Sequence, residues 1–272
     1  MPREAAPDDR LSVDARPQPF SSRPLSRVVA LGASNLTRGF GTVVATARAT
    51  WGPDVEVMSA LGHGRSYGAQ SRFLGRRLPA ILESGLWRQL ETGSPAPTRA
   101  LITDVGNDIG YGFSAQQTLA WVDESVQRLL RVTDDIVLTD LPLASLRRLS
   151  PSKFRAVRTI LFPASRLSLD DMLKAAEDVN TGLSDLAATR GIRFFHLNPS
   201  WYGVDPIHIR PSLWRRAWED ILGGGPVDGR HSQIEAWRLY LMRPERRWLF
   251  GVEQVTPQKG TRLRSGGRVW LY

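Results

Sequence analysis

The sequence predicts an α/β protein: a three-layer α/β/α domain on a five-stranded parallel, flavodoxin-like sheet, with a small C-terminal helix and β-hairpin appendage. Three observations carry that expectation. Short apolar runs recur at 27–32, 54–60, 99–105, 135–141 and 191–197, the form strands take when both sheet faces are covered. Helical patterns separate them, and alternation of strand and helix calls for parallel strands joined by crossover helices. At 272 residues the chain is long enough to bury one large core.

Residues 1–25, rich in Pro, Asp and Arg without periodicity, are expected to form a disordered or loosely docked arm. The first strand then runs into Leu31-Gly32-Ala33-Ser34-Asn35-Leu36-Thr37-Arg38-Gly39, read as a turn opening a helix. Serine is a preferred N-cap. It is also placed for nucleophilic chemistry, because free N–H groups at a helix start favour developing negative charge. The second strand ends at Gly62-His63-Gly64, and residues 68–90 read as helix interrupted by Pro79. The third strand ends at Gly106-Asn107-Asp108.

Ser114 and Gln117 open a helix over 114–132, where Leu119, Val122, Val126, Leu129 and Leu130 repeat at helical spacing. After the fourth strand, Ser150-Pro151 supplies a cap and first-turn proline for another helix, and Ser168 with Asp171 opens a long one stopping near Gly191. Beyond the fifth strand lie Asp205-Pro206-Ile207-His208 and a helix from Pro211 to Leu222. Gly223-Gly224-Gly225-Pro226 marks the boundary between the domain 26–222 and the appendage 223–272. The appendage holds an amphipathic helix at 232–242 and two aromatic-tipped runs, 247–255 and 268–272.

Composition narrows the function classes. No cysteine is present, which removes disulfides, thiolate nucleophiles and cysteine zinc sites. No apolar run approaches the roughly 20 residues of a membrane helix, and the first 24 residues have no apolar core of a secretory signal; a cytoplasmic protein without a membrane partner is expected. The net charge is +9, and only three of the 36 basic residues are lysine. Residues 223–272 hold nine basic residues against four acids, which raises an anionic partner.

Chemistry converges at the strand ends. In a parallel sheet the C-terminal ends share one edge, so Ser34, Gly62-His63-Gly64, Gly106-Asn107-Asp108 and Asp205-x-x-His208 approach one another. Each has a bland reading: Asn107 and Asp108 as turn residues, the glycines as positive-φ positions, Asp205 and His208 as a structural pair. Together they supply a nucleophile, a base, a carboxylate orienting the base, and oxyanion donors.

In these four blocks, in their order, and over roughly residues 26–222, the chain resembles the SGNH hydrolases, the GDSL-type esterase and lipase family. The matching residues are Gly32-Ala33-Ser34-Asn35, a glycine of Leu61-Gly62-His63-Gly64-Arg65-Ser66, Gly106-Asn107-Asp108 and Asp205-Pro206-Ile207-His208. The resemblance implies Ser34 as nucleophile, His208 as general base and Asp205 as its partner. It implies an oxyanion hole of the Ser34 and Gly64 backbone N–H groups and the Asn107 side-chain amide, with Gly62 the other glycine candidate. No metal or cofactor is expected. Two positions depart from the family pattern: Ala33 stands where an aspartate usually precedes the serine, with Asn35 the expected replacement, and Val105 stands where the third block usually has glycine.

Gly64-Arg65-Ser66-Tyr67-Gly68 also matches a G-x-S-x-G elbow, which makes Ser66 a rival nucleophile. The elbow needs a strand running straight into it; here Gly62-His63-Gly64 intervenes. His63 is read as bordering a pocket, His196 and His231 as ordinary, and Trp201, Trp214 and Trp218 as core aromatics near the His208 loop, with an acyl or sugar pocket wall the alternative for Trp201. The expected function is a serine esterase acting on a small-molecule or carbohydrate acyl ester, such as an O-acetyl or short acyl group. The alternatives are an O-acyltransferase with the same triad, and a catalytically quiet domain binding an anionic polymer or nucleic acid. The quiet domain would use Arg246, Arg247, Trp248, Arg262, Arg264 and Trp270.

Overall fold

The structure is a computed structural model describing residues 26–162, 165–224, 233–264 and 266–272. The expected arm 1–25, His231 and the start of the 232–242 helix lie outside the described residues. Along the chain come β1 (Arg27–Leu31), β2 (Glu56–Ala60), β3 (Ser71–Phe73), β4 (Arg76–Leu78), β5 (Thr98–Ile102), β6 (Ile136–Thr139), β7 (Arg193–Phe195), β8 (Arg246–Leu249), β9 (Val252–Val255), β10 (Thr261–Arg262) and β11 (Arg268–Leu271). β2, β1, β5, β6 and β7 lie side by side, all parallel, which is the flavodoxin-like order.

Alternation along these strands divides the core in two. Val29, Leu31, Met58 and Ile102 face the helices Ala115–Leu130 and Leu169–Arg190. Val28, Ala30, Val57 and Leu101 face Phe40–Trp51 and Trp214–Leu222. All eight strand side chains are at most 1% exposed; fully burying such an aliphatic contributes roughly 1.5–3 kcal/mol, so both faces need their helical layer.

The helix starts follow from their caps. Ser114 accepts from the Gln117 N–H at 3.1 Å, Ser150 precedes Pro151 in the first turn of Pro151–Leu161, and Ser168 and Asp171 form a reciprocal capping box. Gly191 ends the long helix at φ 66°, a left-handed conformation that glycine adopts without a Cβ penalty.

Two expectations need correction. Residues 68–90 are not an interrupted helix: β3 and β4 form a hairpin, followed by a single 3-10 turn at Ile81–Glu83 and the helix Leu86–Thr92. The hairpin turns on Leu74 and Gly75 at φ 45° and 77°, a pair of left-handed residues that matches strand twist.

The C-terminal segment also differs from a hairpin appendage on a five-stranded sheet. β11 pairs parallel to β2 and β10 antiparallel to β11, giving seven strands. The physical reason is the β2 edge, whose unpaired backbone groups need a neighbour. Val269, Trp270 and Leu271 fill that place, each at most 6% exposed. β8 and β9 join the first hairpin in an antiparallel sheet ordered β3-β4-β8-β9.

Candidate active site

Ser34 opens a short helix, Ser34–Arg38, directly beyond β1. Its Oγ lies 3.0 Å from His208 Nε2, and His208 Nδ1 lies 2.7 Å from Asp205 Oδ2. The other Asp205 oxygen accepts the Ile207 and His208 backbone N–H groups, both at 3.2 Å, so the carboxylate shapes the loop and orients the ring. Burial alone pushes the Asp205 carboxyl up. The bond with His208, the Ile207 N–H and Arg38, at 3.8 Å, together outweigh that and hold it below the ordinary carboxylate range.

Ala33 offers no side chain to cap this helix. Asp104, just beyond the neighbouring strand β5, takes over that role. One oxygen accepts the Ala33 and Leu36 N–H groups, each at 3.0 Å, and the other accepts from Asn35 Nδ2 at 2.9 Å. Asn35 in turn donates to the Ile207 carbonyl at 2.9 Å and accepts the Ile209 N–H at 2.8 Å, on either side of His208. The replacement expected of Asn35 alone is thus shared with Asp104, whose φ of 60° is a strained value for a non-glycine residue. The motifs do not point to Asp104; an acidic residue at the end of an apolar strand is the signal that finds it.

The oxyanion candidates surround this turn. Ser34 stands first in its helix, where the N–H has no intrahelical acceptor. Gly64 sits at φ 68°, and its carbonyl accepts from Tyr111 Oη at 2.6 Å. Asn107 donates one amide hydrogen to the Arg65 carbonyl at 3.3 Å. Gly62 is small for packing instead, since a Cβ there would lie 2.2 Å from Leu78.

Arg65 itself is fully buried. Its guanidinium donates to the carbonyls of Leu61 and Pro79 at 3.1 and 3.2 Å, and to the main-chain oxygen of Tyr272. Burial lowers it to about 9, so it stays charged at neutral pH. Ser66 is also fully buried, donating to Asp108 and accepting the Ala69 N–H at 2.9 Å. That removes the accessibility a nucleophile needs. Burial pushes the Asp108 carboxyl up to about 6 despite the Ser66 and Tyr67 bonds.

His63 stacks on Phe73 with centroids 5.5 Å apart, and His196 pairs with Asp140 at 3.1 Å. Trp201 and Trp218 are core residues, and Trp214 donates to the Ile209 carbonyl at 3.0 Å. A cavity of about 110 Å³ opens beside Ser34, Asn35, Gly106 and Asn107. It is also lined by Leu141, Leu146, Leu149, Phe154, Phe162 and Met172, with Asp140 and Arg158 among its polar groups.

Fold and edge define a parallel-sheet α/β protein with a Ser–His–Asp hydrogen-bonded chain at the C-terminal strand ends. No protein-family model and no curated protein matches the chain. Among solved structures it is similar to a lipolytic protein of the G-D-S-L family from Veillonella parvula (13% identity, 73% of this chain and 97% of that one, TM-score 0.47). It is similar too to the Mycobacterium smegmatis aryl esterase (15%, 71% and 94%, 0.47). A third is a carbohydrate acetylesterase family member from Sinorhizobium meliloti (14%, 79% and 100%, 0.45).

Proposed function

We propose that the chain is a serine hydrolase that cleaves carboxylic esters through an acyl-enzyme. The observation that carries this reading is the continuous bond from Ser34 Oγ through both ring nitrogens of His208 to Asp205. As Ser34 Oγ attacks the ester carbonyl carbon, His208 Nε2 takes its proton, and Asp205 stabilises the imidazolium. The carbonyl oxygen gains the negative charge, facing the Ser34 and Gly64 N–H groups and the free amide hydrogen of Asn107. His208 then protonates the departing alcohol, and water, deprotonated by the same ring, releases the acid.

The cavity supports an extended apolar acyl group, longer than the acetyl or short acyl expected from sequence. A buried methylene contributes about 0.8 kcal/mol, so kcat/KM on p-nitrophenyl esters is expected to rise roughly fourfold per methylene until the cavity fills. A profile that falls from acetate onward refutes the acyl assignment.

For the chemistry itself, a fluorophosphonate probe is expected to label Ser34, and Ser34→Ala is expected to abolish both labelling and turnover while Ser66→Ala retains them. Asn107→Ala is expected to lower kcat by about 100-fold or more, the usual effect of losing one oxyanion donor. Folded protein that hydrolyses esters without Ser34 ends the reading.

A further inference from the structure

The small sheet has two unlike faces. One packs on the His63-Gly64 turn: Phe73 lies against Gly64, and Arg76 donates to the His63 carbonyl at 3.4 Å. On the other, strand register aligns Arg72, Arg77, Trp248 and Glu253 in one row, and Arg246 opposite Val255 in the next but one. Arg72, Arg246, Glu253 and Val255 are exposed. This outer face thus carries an indole and three arginines, of which Arg246 is ion-paired with the one carboxylate, Glu253, at 3.3 Å.

Both hairpins end at the same place. Leu74 and Phe250 are the first residues of two-residue turns, at φ 45° and 49°, and are 76% and 83% exposed. The tips touch, with the Phe250 N–H donating to the Gly75 carbonyl at 2.9 Å. Asn, Asp or Gly suits such a position; a bulky apolar side chain there strains the backbone. Exposure returns almost no burial for that strain. Val252, 64% exposed, enlarges the apolar tip.

We infer that this face docks on an anionic lipid bilayer, with Leu74 and Phe250 entering the acyl boundary and Arg72 and Arg77 meeting headgroup phosphates. A bilayer interface accepts apolar side chains, cations and an indole at adjacent depths. A polyanion in water satisfies the arginines and leaves the two tips exposed. A second copy carries the same net charge of +9 and is repelled. The inference goes beyond the esterase reading and stands apart from it: it concerns docking, and Ser34 takes no part.

The test is co-sedimentation of the full-length chain with phosphatidylcholine vesicles, with and without phosphatidylglycerol. Binding to the anionic vesicles, weakened by salt, is expected. Leu74→Asn with Phe250→Asn should weaken binding at least about tenfold while raising Tm, because asparagine tolerates the left-handed turn. That opposite response separates docking from misfolding. Removing charge by Arg72→Gln should weaken binding about fivefold (~1 kcal/mol). Ser34→Ala should bind as wild type, so loss of the esterase reading leaves this result standing. No binding to anionic vesicles overturns the inference. So does undiminished binding by the Asn pair, a dimer that the Asn pair dissociates, or tighter capture of a single-stranded oligonucleotide than of the vesicles.

Discussion

Asp104 does for the Ser34 turn what Ala33 has no side chain to do. Its carboxylate caps the helix that carries Ser34 and, through Asn35, fixes the backbone on both sides of His208. Charge-assisted bonds of this kind contribute about 1.5–3 kcal/mol each, and a lost cap about 1 kcal/mol. Asp104→Ala is therefore expected to destabilise by roughly 2–3 kcal/mol in urea unfolding and to lower kcat at least about tenfold, with KM little changed. An unchanged kcat removes Asp104 from the positioning role. The convergence of Ser34, Asp205 and His208 is legible in the sequence because strand ends of a parallel sheet must share an edge. Asp104 is not, because its partners are backbone groups on another strand's turn, which leave no motif. His63 shows the same through-space dependence: burial first, then Arg76, Arg38 and His208, lowers it from 6.5 to about 4. The unfolded chain binds this proton before the folded one does. Stability contributed by the neutral ring is complete above pH 6.5 and lost as pH falls through about 4. Tm is expected to fall across that window, and His63→Gln is expected to flatten the fall.

Among elements, legibility followed how local the signal is. The helix Leu169–Arg190 announces both ends, at the Ser168/Asp171 box and at Gly191. Losing the Ser168 hydroxyl removes an acceptor for the Asp171 N–H at 3.1 Å, so Ser168→Ala is expected to cost about 1 kcal/mol in urea unfolding. A variant of undiminished stability shows that packing alone holds that end. The hairpin β3-β4 gave a misleading signal instead. Its two-residue turn is Leu74-Gly75 rather than Asn-Gly, and the spacing of Phe73, Leu74 and Leu78 reads equally as helix. Only the partner strand β8, which pairs Arg76 with Leu249, turns the segment into sheet, and that partner is supplied from the far end of the chain.

For the whole molecule, the C-terminal segment closes what the first half opens. β11 covers the β2 edge, while the main-chain oxygen of Tyr272 takes a hydrogen bond from the buried Arg65 guanidinium, next in the chain to Gly64. The run Arg268–Leu271 was visible as a strand, but nothing within it says which edge it joins. A parallel pairing of distant segments depends on which edge the rest of the sheet leaves open. Its removal exposes the apolar faces of Val57 and Met58, uncovers the backbone of β2, and takes a partner from a buried cation. Breaking a buried ionic or charge-assisted pair commonly costs about 3–5 kcal/mol, a large share of the roughly 5–15 kcal/mol that holds a domain folded. Residues 26–222 expressed alone are therefore expected to lack a cooperative urea transition. If the 26–222 fragment unfolds cooperatively at the midpoint of the full chain, the last strand is an accessory and the Gly62-His63-Gly64 turn holds its shape without it.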